Sequence, residues 1–194
     1  MHLLSKLILK GMVKIMNVAA FGFAIGLMIA AVVIVILFKF ANKDGKVRTE
    51  YDERQKGVRG KAYRYAFYTE VFAQAVLMFL YMGGVELPLE NYVLQFIAVI
   101  SGCTVLAVYC IWNDVYWGLN NDHRKYHIIF IVAILLNMLP VIGAIRGGNW
   151  GENGKLGLPF LNVVVLVLMA IVYAELFIKN IMDKKDRRSA GEEV

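Results

Sequence analysis

Apolar residues in this chain come as long runs broken by short polar segments, and the runs set its solvent. They cover residues 15–38, 65–84, 92–112, 128–145 and 160–178, and the first contains no formal charge. A helix needs roughly 20 consecutive apolar residues to cross a bilayer core, and each run is close to that length. The apolar residues surround each predicted helix, which fits lipid contact better than a one-sided buried core. Barrel strands would be about 10 residues long and alternate in polarity, so a closed barrel is excluded. The predicted fold is an all-α integral membrane bundle of five transmembrane helices.

Residues 1–14 follow a different rule. Leu3, Leu4, Leu7, Ile8 and Met12 keep helical spacing, while Lys6, Lys10 and Lys14 recur every four residues. That predicts an N-terminal amphipathic interfacial helix with a basic face. A secretory leader would have an apolar region of about 7–15 residues and a small-residue cleavage site, so the longer 15–38 run reads as an anchor.

Composition agrees: 59% of residues are hydrophobic and mean hydropathy is +0.59. The net charge of +6 reports orientation here, since cytoplasmic loops of membrane proteins carry the basic excess and nothing implies nucleic acid. Of 21 Lys and Arg residues, nine lie in 39–64, two in the turn after the third run and five between Lys179 and Arg188; that makes 16 on one side and five on the other. The richer side is predicted to be cytoplasmic, with the N-terminus outside and the charged tail, 182–194, inside a cell membrane.

Within this frame the loops differ. Asn42-Lys43-Asp44-Gly45 predicts a turn, and helix-compatible residues from Thr49 to Arg64 lead into the second span despite Gly57 and Gly60. Val85–Asn91, with Pro88, predicts a tight outer turn. Residues 146–159 hold five glycines and predict a mobile connector, the alternative being a gating or ligand-contacting loop, with a turn at Asn153-Gly154 and Trp150 as a headgroup anchor. Gly22, Gly26 and Ala30 place small residues at four-residue spacing, predicting close helix packing within the bundle. Pro140 should kink the fourth span and free the carbonyl of Leu136, and Asn137, one turn before the proline, is placed either to satisfy a freed backbone group or to face a neighbouring helix. Cys103 and Cys110 share a face but sit roughly 10 Å apart along one helix, too far to bridge, and read as packing residues.

Ionisable and amide groups inside a membrane are expensive, so each demands a reason. Glu70, Gln74, Asp114 and Glu175 form the candidate intramembrane polar set. Two accounts stay open. In one, they line a polar cytoplasmic-side vestibule with Glu70 as the key carboxylate. In the other, Arg64 reaches Glu70, Glu175 pairs with Lys179, and the rest lie at headgroup level. His123 and His127 have the i, i+4 spacing of metal ligands, but no Glu-bearing zinc motif or cysteine accompanies them, and they read as interfacial histidines. No nucleophile elbow, phosphate loop, kinase set or dinucleotide fingerprint occurs, so no enzymatic activity and no cofactor are expected.

Asp52-Glu53-Arg54-Gln55, followed by Val58-Arg59-Gly60-Lys61-Ala62 and an aromatic-rich span, resembles a loose group of small, uncharacterised bacterial polytopic membrane proteins. Tyr116-Trp117-Gly118-Leu119-Asn120 is similar to a second feature of that group. The resemblance implies an accessory or regulatory role and brings no established activity. Read physically, Asp52 and Glu53 favour a helix N-terminus, Glu53 can pair with Lys56, and Asp52 to Gln55 make a candidate partner-binding loop.

The expected function is a non-enzymatic membrane protein that senses or regulates, or an accessory subunit of a membrane complex. The alternative is a small-solute or ion permease with its vestibule around Glu70. The implied partners are the lipid bilayer, a protein in a membrane complex and, for a permease with a pore, further copies of the chain.

Overall fold

The structure, a computed structural model, describes Phe21, Ile25, Gly26 and residues 28–189. The expected interfacial helix, Gly22 and most of the first half of the first apolar run lie outside the described residues. The chain forms two compact units, Met1–Thr49 with Asn120–Asp122, and Glu50–Leu119 with His123–Val194.

The first unit carries α1, Met28–Ala41, an apolar helix shorter than a full span among the described residues. Among the described residues, Gly26 has open space around it and Ala30 is exposed. Helix α1 ends on the expected turn: the Gly45 N–H donates to the Asn42 carbonyl at 3.3 Å, with Gly45 at φ +66°. Beyond it, residues 41–48 are tied to 120–122. Lys43 N–H donates to the Asn120 carbonyl at 2.8 Å and Asp122 N–H to the Ala41 carbonyl at 3.0 Å. Buried Asn121 donates its amide to the Asn42 side chain at 2.7 Å, and the Asn120 amide reaches both Asp44 oxygens at 3.2 Å. Buried amides are stable only when paired, and these are.

The second unit contains the four helices of the described chain that are long and apolar enough to cross a membrane. They are α2, Glu53–Met82; α3, Asn91–Trp112; α4, His123–Gly147; and α5, Leu158–Ser189. Their most apolar windows are only 0–22% buried, leaving apolar side chains around the outside, as in helices solvated by lipid. Helix α2 packs on α3, α3 on α5, and α5 on α4. Where α3 crosses α2, a Cβ on Gly102 would stand 3.0 Å from the Ala66 carbonyl and 3.5 Å from Glu70 Cβ, so glycine there permits the close approach.

Asp52 starts α2 with a full capping box: its carboxylate accepts the Gln55 N–H at 2.6 Å, and the Gln55 side chain accepts the Asp52 N–H at 3.2 Å. The helix then runs straight through Gly57 and Gly60, joining the juxtamembrane segment to the span. Helices α2 and α3 end alike. Val85 N–H returns to Leu80 and Gly84 N–H to Tyr81; Val115 N–H returns to Cys110 and Asp114 N–H to Ile111. Both are Schellman closures needing a left-handed residue, supplied by Gly84 at φ +70° and by Asp114 at φ +57°.

Three expectations are corrected. Residues 148–157 are an ordered β-hairpin: β1, Gly151–Glu152, pairs antiparallel with β2, Lys155–Leu156, around Asn153 (φ 51°) and Gly154 (φ 77°). The five glycines suggested mobility, but two of them serve fixed geometry. Gly154 takes a left-handed turn position that Asn-Gly favours, and a Cβ on Gly151 would strike the Lys155 carbonyl. Asn137 does not reach the Leu136 carbonyl; its amide donates to Ala133 at 2.8 Å, one turn back along its own helix. Helix α5 continues to Ser189, so the expected tail begins as helix.

The hairpin also fixes the direction of the helices. Leu156 N–H donates to the Pro88 carbonyl and Glu90 N–H to the Leu156 carbonyl, both at 3.0 Å. The α2–α3 and α4–α5 connections therefore share one end of this unit, and α2 to α5 run alternately up and down.

Candidate functional site

At the end away from the hairpin, the start of α2 grips the α3–α4 connection. The Gln55 side chain is buried and donates to the Trp117 carbonyl at 3.3 Å; Leu119 N–H donates to the Glu50 carbonyl at 2.9 Å. Arg59 donates to the Val115 carbonyl at 3.2 Å and to the Tyr63 hydroxyl at 3.1 Å, with its guanidinium 4.2 Å from the Tyr51 ring centroid. Beneath it Ala62, Cys110 and Val115 make a small buried core. Asp52, Gln55 and Arg59 thus act inward, as a brace on the connection. Of the expected partner-binding loop, Asp52 and Gln55 are committed to that brace. Glu53 pairs with Lys56 at 2.6 Å as expected, and Arg54 stands exposed 3.5 Å from the Asn113 carbonyl. The two segments that carry the resemblance are bonded to each other.

Next to this brace lies a cavity of about 650 Å³ lined by the end of α3, the α3–α4 connection, the start of α4 and the second half of α5. Aromatic groups form much of its wall. His123 stacks on Trp117 at 4.5 Å, Tyr116 meets Trp117 edge-on at 4.9 Å, and His127 Nδ1 lies 3.2 Å from the Tyr173 hydroxyl. Tyr116, in the connection, has its hydroxyl pKa pushed up to about 12 by burial first and by neighbouring tyrosines second, so it stays neutral. Burial likewise raises Tyr51 against the opposing charge of Arg59.

The acidic and basic side chains at the α3 and α5 ends of this cavity are bonded to one another. Lys179 bridges Asp114 at 3.3 Å and Asp183 at 3.1 Å. Glu175 takes the indole N–H of Trp112 at 2.7 Å, not the expected Lys179. Helical periodicity placed Lys179 one turn from Glu175, whereas the left-handed turn at Asp114 presents a nearer carboxylate. Asp114 and Glu175 therefore sit at one end of the unit, both partnered.

Gln74 belongs elsewhere. It lines a second cavity of about 480 Å³ at the hairpin end, with Glu86, Asn91, Gln95 and Lys155. Glu70 lines neither cavity. It is half-buried where α2 crosses Gly102, and no ion pair joins it to Arg64 among the described residues. The four candidate polar residues are thus dispersed over both ends and the middle of the bundle. Cys110 is buried, while Cys103 is exposed on α3.

Sequence reasoning missed Arg59, Glu86, Gln95 and Lys155. Arg59 had a signal: Gln55, Arg59 and Ala62 recur on one helical face. Lys155 had another, since Asn153-Gly154 is the strongest short hairpin signal and sets Lys155 on a strand. No protein-family model, curated protein or solved structure matches the chain.

Proposed function

We propose that this chain is a multi-pass membrane protein that senses or regulates, or serves as an accessory subunit of a membrane complex, without catalytic activity. The observation that supports the reading is the dispersal of the four polar residues singled out inside the membrane, Glu70, Gln74, Asp114 and Glu175. Glu175 is held by Trp112, Asp114 by Lys179, Gln74 faces the opposite end, and Glu70 rests on Gly102. A reacting centre or a permeation path would gather such groups around one point.

In this reading the chain crosses the membrane five times, α1 belonging to the first crossing, and residues 1–14 lie on the outer surface. The basic asymmetry of 16 to five puts the α2 N-terminus and the α3–α4 connection in the cytoplasm and the hairpin outside. Exposed Glu53 and Arg54 remain available to a cytoplasmic partner. Affinity purification of the tagged chain from native membranes tests the proposal. A stoichiometric protein partner is expected. Solute or ion flux in liposomes holding the chain alone would support the permease built on Glu70 instead.

A further inference from the structure

The second cavity differs from the first in one respect that matters for binding: its polar side chains have no partners of their own. Gln74 on α2, Glu86 in the α2–α3 connection, Asn91 and Gln95 on α3, and Lys155 on β2 line it together. None of these five side chains makes a hydrogen bond or ion pair with the described residues. In the larger cavity the lysine is already bonded to both carboxylates, so a ligand there would have to break existing bonds. Here the valences are open.

The groups are of complementary kinds. Glu86 offers a carboxylate and Lys155 an ammonium, yet they do not pair with each other. Three amides supply both donors and acceptors between them. The remaining wall, including Leu77, Met78, Leu87 and Leu94, is apolar. A volume of about 480 Å³ is within the usual range of roughly 300–1,000 Å³ for small-ligand sites and exceeds what one water needs. Lys155 is also well fixed. Its strand pairs with β1 across the turn, and the adjacent Leu156 is locked between Pro88 and Glu90. The same ladder holds the connection that carries Glu86.

We propose that this cavity binds a small zwitterion of amino-acid type. Lys155 holds its carboxylate, Glu86 its ammonium, and the apolar wall takes an uncharged side chain. Opposite charges too far apart to pair directly are bridged by a ligand that carries both. The proposal rests on the sensing reading above, which gives such binding a use, and places the ligand on the hairpin side.

The test uses the full chain, purified into nanodiscs of phosphatidylglycerol, which lack any zwitterionic headgroup. Thermal unfolding is followed with L-leucine, with 3-methylbutylamine and with 4-methylpentanoic acid as probes, and then with the other neutral L-amino acids. We expect at least one neutral amino acid to raise Tm in a saturable way while the amine and the acid do not. Glu86→Gln and Lys155→Gln should each weaken binding about 10- to 100-fold, because a hydrogen bond to a charged group is lost. Gln95→Leu, which leaves both charges in place, should weaken it about 3- to 10-fold, and keeps the test open if either charge variant unfolds. Three results would overturn the proposal: no shift with any amino acid, equal shifts with the amine or the acid, or unaltered binding in all three variants. An effect of added phosphatidylethanolamine with none from amino acids would overturn it too. This assay needs no protein partner, so its failure is distinct from failure of the partner purification.

Discussion

Gln55→Leu separates the two accounts of the Asp52–Gln55 segment, brace or partner-binding loop. The Gln55 side chain accepts the Asp52 N–H at 3.2 Å and donates to the Trp117 carbonyl at 3.3 Å, in a residue only 7% exposed. Leucine fits a similar volume but meets neither bond. The Trp117 carbonyl would lose its partner under cover of α2, at a cost of about 1–3 kcal/mol. Losing half of the capping box adds about 0.5–1 kcal/mol. The expected total is about 1.5–4 kcal/mol, large against ordinary marginal stability. Gln55→Glu keeps the capping acceptor but sets a buried carboxylate against the Trp117 carbonyl, and should cost at least as much as Gln55→Leu. Glu53→Gln removes an exposed ion pair whose carboxylate is 90% accessible, and should stay within about 0.5 kcal/mol. The assay is reversible unfolding in mixed micelles, followed by tryptophan fluorescence with Trp112 and Trp150 replaced by Phe in parent and variants, so that the signal reports Trp117. If Gln55→Leu unfolds like the parent, within about 0.5 kcal/mol, the brace is refuted.

Gly102→Val should destabilise the α2–α3 contact by about 1–3 kcal/mol, since its side chain enters the space beside Ala66, whereas Gly143→Ala, with open surroundings, should be neutral or slightly stabilising; paired melts check this. Asp114→Gly should be about 1 kcal/mol more stable than Asp114→Ala, because both lose the Lys179 pair but only alanine must hold the left-handed backbone. Burial pushes the Asp44 carboxyl up, but bonds from Lys46 N–H and Asn120 and the Lys46 charge outweigh it and hold the pKa below its usual value. Its folded value being depressed, the stabilisation is complete above the ordinary carboxylate pKa near 3.9 and is lost as pH falls through the folded value. Hydrogen exchange at the Lys46 amide should speed up in that acid window beyond the intrinsic rate, and Asp44→Asn should abolish the change. Glu70→Gln should leave membrane insertion and the protein's cellular effect intact; loss of the effect at normal abundance would favour the permease.

Four of the expected spans were legible because their cause is local. A run of apolar residues near 20 long predicts a helix whatever surrounds it; α3, α4 and α5 contain their expected runs whole, and α2 covers 65–82 of the run 65–84. The cap at Asp52, the turn at Asn42–Gly45 and the stop at Gly84 were legible for the same reason. What escaped depends on residues far apart in sequence. Gln55 meets Trp117 across 62 positions and Asn121 meets Asn42 across 79, and no periodicity reports such pairs. Glycine content misled in 146–159, since glycine marks both a loose chain and a tight hairpin, and only the Leu156 ladder to Pro88 and Glu90 decides between them. The candidate polar set stayed open between two accounts because position along a helix gives membrane depth but not side-chain direction, and direction sends Gln74, Glu70 and Asp114 to different places.

Single-cysteine accessibility tests the central claim most directly, that the four helices of the second unit cross the membrane in alternation with the hairpin outside. In a background with Cys103→Ser and Cys110→Ser, cysteine replaces Glu86, Asn149 or Leu119 in turn, each exposed in the structure. A membrane-impermeant maleimide should label positions 86 and 149 in intact cells, and position 119 only after permeabilisation. Labelling of 86 and 149 from opposite sides would contradict the alternation, and labelling of 119 alone in intact cells would contradict the orientation.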